Sequence, residues 1–284
     1  MNQGKTRLVM VTGGNFDFFA PFLRPENGEN RPRRQAGADI LRLGCALGES
    51  AVGAVEAELR GPGACVASIA VAPARRGQGL ASFMLKGLLR LLRDTGGAQV
   101  WALAPSWLDA AAAVRRLYTG AGFRAESEDG VYTYLLGEAR RRPAVQKMAA
   151  KADDPRIVSL AAAPAYLLRI LAARIAEQGG AEDLTAAADL DHESSVFYLE
   201  NGDTPASLLF AAGAEGLEAC WLHGGTAAAL SAVVASGVRR ALERYGDETL
   251  VRVTAVQPAV DSFVAKLLGE PQTKEYITSY CLDL

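Results

Sequence analysis

Histidine and cysteine are scarce here, with two and four residues in a chain of 284, and that scarcity removes whole classes of chemistry. Cys45, Cys65, Cys220 and Cys281 stand far apart without a Cys-x-x-Cys pair, so neither a zinc site nor a disulfide framework is suggested, and free thiols in a reducing cytosol are expected. A metal is not expected elsewhere either. There is no run of eighteen apolar residues, and residues 1–7 lack the apolar core of a signal peptide, so a cytoplasmic protein without a membrane partner is expected. A large excess of one charge is also missing, because the net charge is −2. It is unevenly divided: residues 1–142 carry 19 basic and 13 acidic side chains, net +6, and residues 143–284 carry 11 and 19, net −8. No dense basic stripe accompanies the positive half, which argues against a nucleic acid and suits a small polyanionic ligand.

Half of the residues are apolar, enough for two compact domains of ordinary size. The most informative stretch runs from Ser68 to Ser82. An apolar strand ending at Val71 gives way at Pro73 to a basic, glycine-rich turn, Arg75–Gly79, and then to a helix, Leu80–Arg93, with apolar residues at helical spacing. Gly77 and Gly79 let the backbone approach a ligand closely, and the first amides of the helix point unpaired at the same place. A strand, a basic turn and a helix start make an anion site.

Around this site the order of elements is readable. Leu8–Thr12 reads as a strand, Asn15–Leu23 as a short helix holding Phe16, Phe18, Phe19 and Phe22, and Glu26–Gln35 as loop. The phenylalanines are core residues or, for one or two of them, the lining of a substrate pocket. Ile40–Leu47, Ala51–Leu59 and Cys65–Val71 read as an antiparallel meander, Val100–Ala104 as a strand, Asp109–Thr119 as a helix capped near Asp109, and Arg124–Glu126 with Val131–Leu136 as a closing hairpin. That would complete one mixed sheet by residue 138.

Arg76-Gly-Gln-Gly-Leu-Ala81, in this position between strand and helix, resembles the Arg/Gln-x-x-Gly-x-Gly/Ala motif of the GCN5-related N-acetyltransferases. Further on, Arg116-Leu-Tyr-Thr-Gly-Ala-Gly-Phe123 is similar to the helix end that follows in that family. The resemblance implies acetyl-CoA as cosubstrate, its pyrophosphate on the amides of Arg76, Gly77, Gln78, Gly79, Leu80 and Ala81. Ser82 would reach a phosphate oxygen or bond the local backbone. The pantetheine arm would pair with the backbone of Ile69, Ala70 and Val71. Tyr118 stands where many members have the tyrosine that protonates the departing thiolate. A carboxylate on the strand that ends at Val71 is missing, and Cys65 stands in its place. Glu56 and Glu58, two apart on the preceding strand, are the nearest candidates for a general base, the alternative being a solvated sheet face. Ala111 replaces an asparagine that often holds the pantetheine.

The second half repeats the plan after a linker at 139–151: strand Arg156–Leu160, helix Pro164–Gln178, strands Ser195–Glu200, Ser207–Ala211 and Leu217–Leu222, helix Ala227–Tyr245, strand Thr249–Ala255, helix Ala259–Leu268, strand Tyr276–Leu282. At a constant offset of 150 residues, Gly87, Arg90, Leu92 and Gly96 fall on Gly237, Arg240, Leu242 and Gly246, while Arg76, Gly77 and Gly79 fall on Thr226, Ala227 and Ala229, and Tyr118 falls on Leu268. The core pattern is kept and the chemistry is lost, although Gly224-Gly225 leaves some anion binding open. The expected protein is α/β, with two tandem domains of this family, 1–138 binding acetyl-CoA and 152–284 degenerate, each a mixed, mostly antiparallel sheet flanked by helices. The expected function is acetyl transfer to the amine of a small molecule or peptide by direct attack. The alternative is a non-catalytic acyl-CoA-binding or regulatory protein, which the missing acid and asparagine would suit.

Overall fold

The structure is a computed structural model that describes residues 5–23, 39–106, 108–150, 153–177, 185, 187, 189–213, 216–255 and 258–284. The polar run expected as loop, Glu26–Gln35, lies outside them, as do Lys151 at the end of the expected linker and Gln178 at the end of an expected helix. The chain divides into two compact units, Met1–Glu128 with Tyr276–Leu284, and Asp129–Glu275.

In the first unit β1 (Thr6–Met10) leads through α1 (Phe16–Phe19) to the meander β2 (Ile40–Leu47), β3 (Ser50–Arg60) and β4 (Gly63–Val71), followed by α2 (Leu80–Asp94), β5 (Gln99–Pro105), α3 (Ala111–Gly120) and β6 (Arg124–Leu135), which runs on into the second unit. β1 through β4 pair antiparallel in order, and β4 pairs parallel with β5. The expected closing hairpin is one continuous strand instead, because Glu128–Gly130 stay extended. The sheet is not complete by residue 138: the partner of β5 is the end of the chain, where Ile277–Asp283 pair antiparallel with Gln99–Pro105. Asp109 does not cap α3, whose N-cap is Ala110 without a side-chain bond.

The helix α2 buries Leu80, Met84, Leu85, Leu88, Leu89 and Leu92, the stripe its spacing dictates, against Leu43, Val55, Ala57 and Val66 of the meander. On the opposite face α1 closes a smaller core. Phe19 is buried there and lies over Gly44, where a side chain would meet its ring at 2.4 Å. Phe16 and Phe18 are 39% and 44% exposed.

The second unit continues from β6 through α4 (Leu136–Arg141), α5 (Pro143–Ala149), β7 (Ile157–Ser159), α6 (Ala165–Glu177), β8 (Val196–Glu200), β9 (Asp203–Gly213), β10 (Gly216–Gly224), α7 (Ala227–Arg244), β11 (Leu250–Ala255) and α8 (Pro258–Leu268), after which β12 (Thr273–Asp283) belongs from Tyr276 onward to the first unit. Its pairing repeats the first: β7 to β10 antiparallel in order, β10 parallel to β11, and β11 antiparallel to β6. Each unit is therefore a mixed, mostly antiparallel sheet flanked by helices. The residues read as linker are largely helical, and α5 buries Val145 in the core of this unit. No helix among the described residues is long and apolar enough to cross a membrane.

Candidate active site

Three features meet at the middle of the first unit's sheet. The first is an opening between parallel strands. β4 pairs with β5 only from Gly63 to Val66, opposite Gln99 to Ala102. β5 pairs on its other side with β12, and among the described residues Ser68–Val71 have β3 alone as strand neighbour. The backbone of Ile69, Ala70 and Val71 thus lies past the last β4–β5 pair, on the way to the helix start. Val71 accepts a long contact, 3.4 Å, from Nε of Arg76.

The second feature is the start of α2. Gly77 and Gly79 have φ of +75° and +77°, conformations that disfavour a side chain, and a Cβ on either would meet nothing within 4 Å. Gly79 is the N-cap and offers the helix no side-chain bond. The helical ladder begins with the Phe83 amide on the Gly79 carbonyl, leaving the amides of Leu80, Ala81 and Ser82 without a carbonyl one turn back. The Arg76 amide, by contrast, is taken by the Pro73 carbonyl. Arg75, Arg76, Gln78 and Ser82 are exposed around this mouth. Open space, free-standing amides and two guanidinium groups fit a diphosphate.

The third feature is a buried polar cluster, and here a sequence expectation is corrected. Glu56 and Glu58 are not a solvated face: they are 1% and 3% exposed. Arg42 Nε donates to Glu56 Oε1 at 2.9 Å, and Ser68 Oγ donates to Glu56 Oε2 at 2.9 Å. Glu58 takes a bond from Arg60 Nη2 at 3.1 Å and lies opposite Cys65. The grouping of Arg42, Glu56 and Ser68 depends on two one-residue bulges. Extending the hairpin from Leu47↔Ser50 without a bulge would set Leu41 opposite Glu56, but the extra residue Val52 shifts the register and brings Arg42 there. Extending from Arg60↔Gly63 would set Ala67 opposite Glu56, but Ala67 bulges out and Ser68 takes the place. Arg42 and Ser68 escaped the sequence reading for this reason, since nothing in the sequence marks either bulge. The guanidinium of Arg42 also lies 5.7 Å from the ring centre of Phe16.

Tyr118 is buried at the end of α3, its ring 5.4 Å from that of Phe123 and 5.6 Å from that of Tyr280 on β12. The family-like Tyr-x-x-x-Gly-Phe spacing has a physical reading: Gly122, with φ of +94°, ends the helix, the Phe123 amide bonds the Tyr118 carbonyl, the Gly122 amide bonds the Thr119 carbonyl, and the two rings make the accompanying apolar contact. Burial pushes the Tyr118 hydroxyl well above the ordinary tyrosine range, and the charge of nearby Cys65 pushes the same way, so the phenol stays protonated. Ala111 lies in the first turn of α3. Among the described residues no group of His, Cys, Asp and Glu could hold a metal ion.

Residues 15–123 match the sequence profile of the acetyltransferase (GNAT) family. Among solved structures the chain is similar to a tandem GNAT protein from the clavulanic acid biosynthesis pathway, with a TM-score of 0.62 at 14% identity over 98% of both chains. A GCN5-related N-acetyltransferase from Kribbella flavida has a TM-score of 0.58 at 14% identity, over 98% of this chain and 71% of that one. A GCN5-related glucosamine N-acetyltransferase region in a fungal β-N-acetylglucosaminidase has a TM-score of 0.67 at 12% identity, over 99% of this chain and 38% of that one. At these identities the structural likeness speaks for the fold. No curated protein matches the chain in sequence.

Proposed function

Because the first unit carries, over residues 15–123, a domain of the acetyltransferase (GNAT) family, we propose that the chain transfers acetyl from acetyl-CoA to an amine by direct attack, and that one site per chain does so. The observation that carries this reading is the start of α2, where a left-handed N-cap glycine and open space leave the helix amides to an anion. The pyrophosphate would rest on the amides of Gly77 to Ser82, between Arg75 and Arg76. The pantetheine arm would follow the unpaired edge of Ile69–Val71, displacing the long Arg76 contact, and bring the thioester to the point where β4 and β5 part. Backbone amides of that strand would stabilise charge developing on the thioester oxygen. Tyr118 would give the departing sulfur a hydrogen bond and then a proton. Its burial disfavours the phenolate, so its help belongs at the low end of general acid catalysis.

Calorimetry of the full chain with CoA, together with thiol release from acetyl-CoA in the presence of amines, tests this. One site and amine-dependent release are expected. Two equivalent sites would contradict the degenerate second unit, and binding without release for any amine would favour a regulatory acyl-CoA-binding protein.

A further inference from the structure

The cluster on β2, β3 and β4 has a property that packing does not explain. A serine hydroxyl has one proton to donate, and that of Ser68 is committed to Glu56 Oε2 at 2.9 Å. Toward any further group Ser68 Oγ is an acceptor. Ser68 is also the first residue of β4 after the Ala67 bulge, at the point where pairing with β5 has ended. Glu58 and Cys65 lie one step earlier, where β4 is still paired to β5 at Trp101.

The second unit supplies an internal control. β10 carries the same one-residue bulge at Cys220, and the residues opposed there are Leu209 and Trp221. The bulge can thus be built with an apolar pair, and a buried carboxylate is a poorer stabiliser than well-packed apolar groups of similar size. In the first unit the site instead holds a carboxylate that is 1% exposed, paired with Arg42 and linked to a hydroxyl at the mouth of the opening.

We propose that Ser68 and Glu56 form a proton relay for the acceptor amine. This rests on the acetyl-transfer reading. As the amine nitrogen bonds the thioester carbon and the carbon–sulfur bond breaks with its electron pair on sulfur, the proton lost by nitrogen passes to Ser68 Oγ. The hydroxyl proton of Ser68 passes at the same time to the Glu56 carboxylate. Sulfur takes its proton from Tyr118, and solvent returns the Glu56 proton to the phenolate between turnovers. Arg42 Nε, 2.9 Å from Glu56 Oε1, holds the carboxylate in place beside Ser68. Ser68 is the catalytic residue of the pair, and Glu56 acts through it.

The test uses the full chain, acetyl-CoA, and whichever of spermidine, glucosamine and a glycyl peptide the wild type acetylates fastest. Ser68→Ala and Glu56→Gln should each lower kcat by about 10²-fold, within the range of general base catalysis, with acetyl-CoA affinity unchanged. Ser68→Thr, which keeps the hydroxyl, should stay within about tenfold of wild type. The double variant Ser68→Ala/Glu56→Gln should be no slower than Ser68→Ala alone, because two steps of one relay fail together. A wild-type rate in Ser68→Ala, or multiplied losses in the double variant, overturns the relay and leaves acetyl transfer standing. A wild-type protein that binds acetyl-CoA and acetylates none of the three overturns the parent reading.

Discussion

The two units build the same strand–bulge–strand frame and then treat its two sensitive places in opposite ways. On the sheet, Glu56 opposite Ser68 in one unit answers to Leu209 opposite Trp221 in the other. Leu209 is fully buried with Phe197 under Leu167, Leu171 and Ile175 of α6, and the Trp221 ring nitrogen donates to Ser207 Oγ at 3.0 Å. At the helix start, eight residues, Ala72–Gly79, separate β4 from α2, whereas only Gly225 and Thr226 separate β10 from α7. Thr226 caps its own helix by accepting from the Ala229 amide at 3.2 Å, so the group that an anion would use is already satisfied. The second unit thus has a filled sheet face and a capped helix end on the same scaffold.

The largest effect is expected from Leu209→Ala, which should cost about 2–5 kcal/mol in denaturant unfolding, since it empties a fully buried site that the first unit fills with an ion-paired carboxylate. A loss well under 1 kcal/mol would mean that this face of the second unit is not core. Gly79→Asp should weaken CoA binding by at least about 10²-fold by placing a negative charge at the helix amides, with the fold retained by circular dichroism. Retained affinity in the folded variant would move the anion site away from α2. Tyr118→Phe keeps the ring contacts with Phe123 and Tyr280 and should lower kcat by about 10–10²-fold at unchanged CoA affinity. Leu268→Met, at the sequence-matched position of the second unit, should leave kcat alone, and an equal drop in both variants would tie the effect to stability. The smallest change belongs to Thr226→Ala, about 1 kcal/mol of stability from the lost cap, without any gain of CoA binding. A second calorimetric site in that variant would show that the cap alone had closed the second unit.

Legibility in the sequence follows the same divide. Elements with strong periodicity were readable nearly to the residue: β2 spans the expected Ile40–Leu47, and α2 starts at the expected Leu80. The glycine turn was readable because left-handed backbone selects glycine. Register was not. A one-residue bulge leaves composition untouched yet changes which residue faces Glu56, so the acidic pair looked like a solvated face. The constant offset of 150 residues also blurs two values: β3 and β4 match β9 and β10 at 153, whereas the helix starts differ by 147, because the second turn is six residues shorter. Gly87 and Gly237, aligned by that offset, accordingly have different surroundings: an added Cβ would meet Leu8 at the first and Leu208 and Phe210 at the second. The last strand was read as part of the second sheet because an apolar alternation says that a strand pairs and not with which neighbour.

That last pairing has a consequence for biosynthesis. β5 leaves the ribosome long before Ile277–Asp283, its antiparallel partner, and all of Asp129–Glu275 is translated in between. At about 5–20 residues per second the delay is on the order of ten seconds. For that interval a nascent first unit presents an open sheet edge, the kind of template on which other chains pair, and Tyr118 lacks the Tyr280 ring that packs against it. The first unit therefore completes its sheet only after the whole of Asp129–Glu275 has been made.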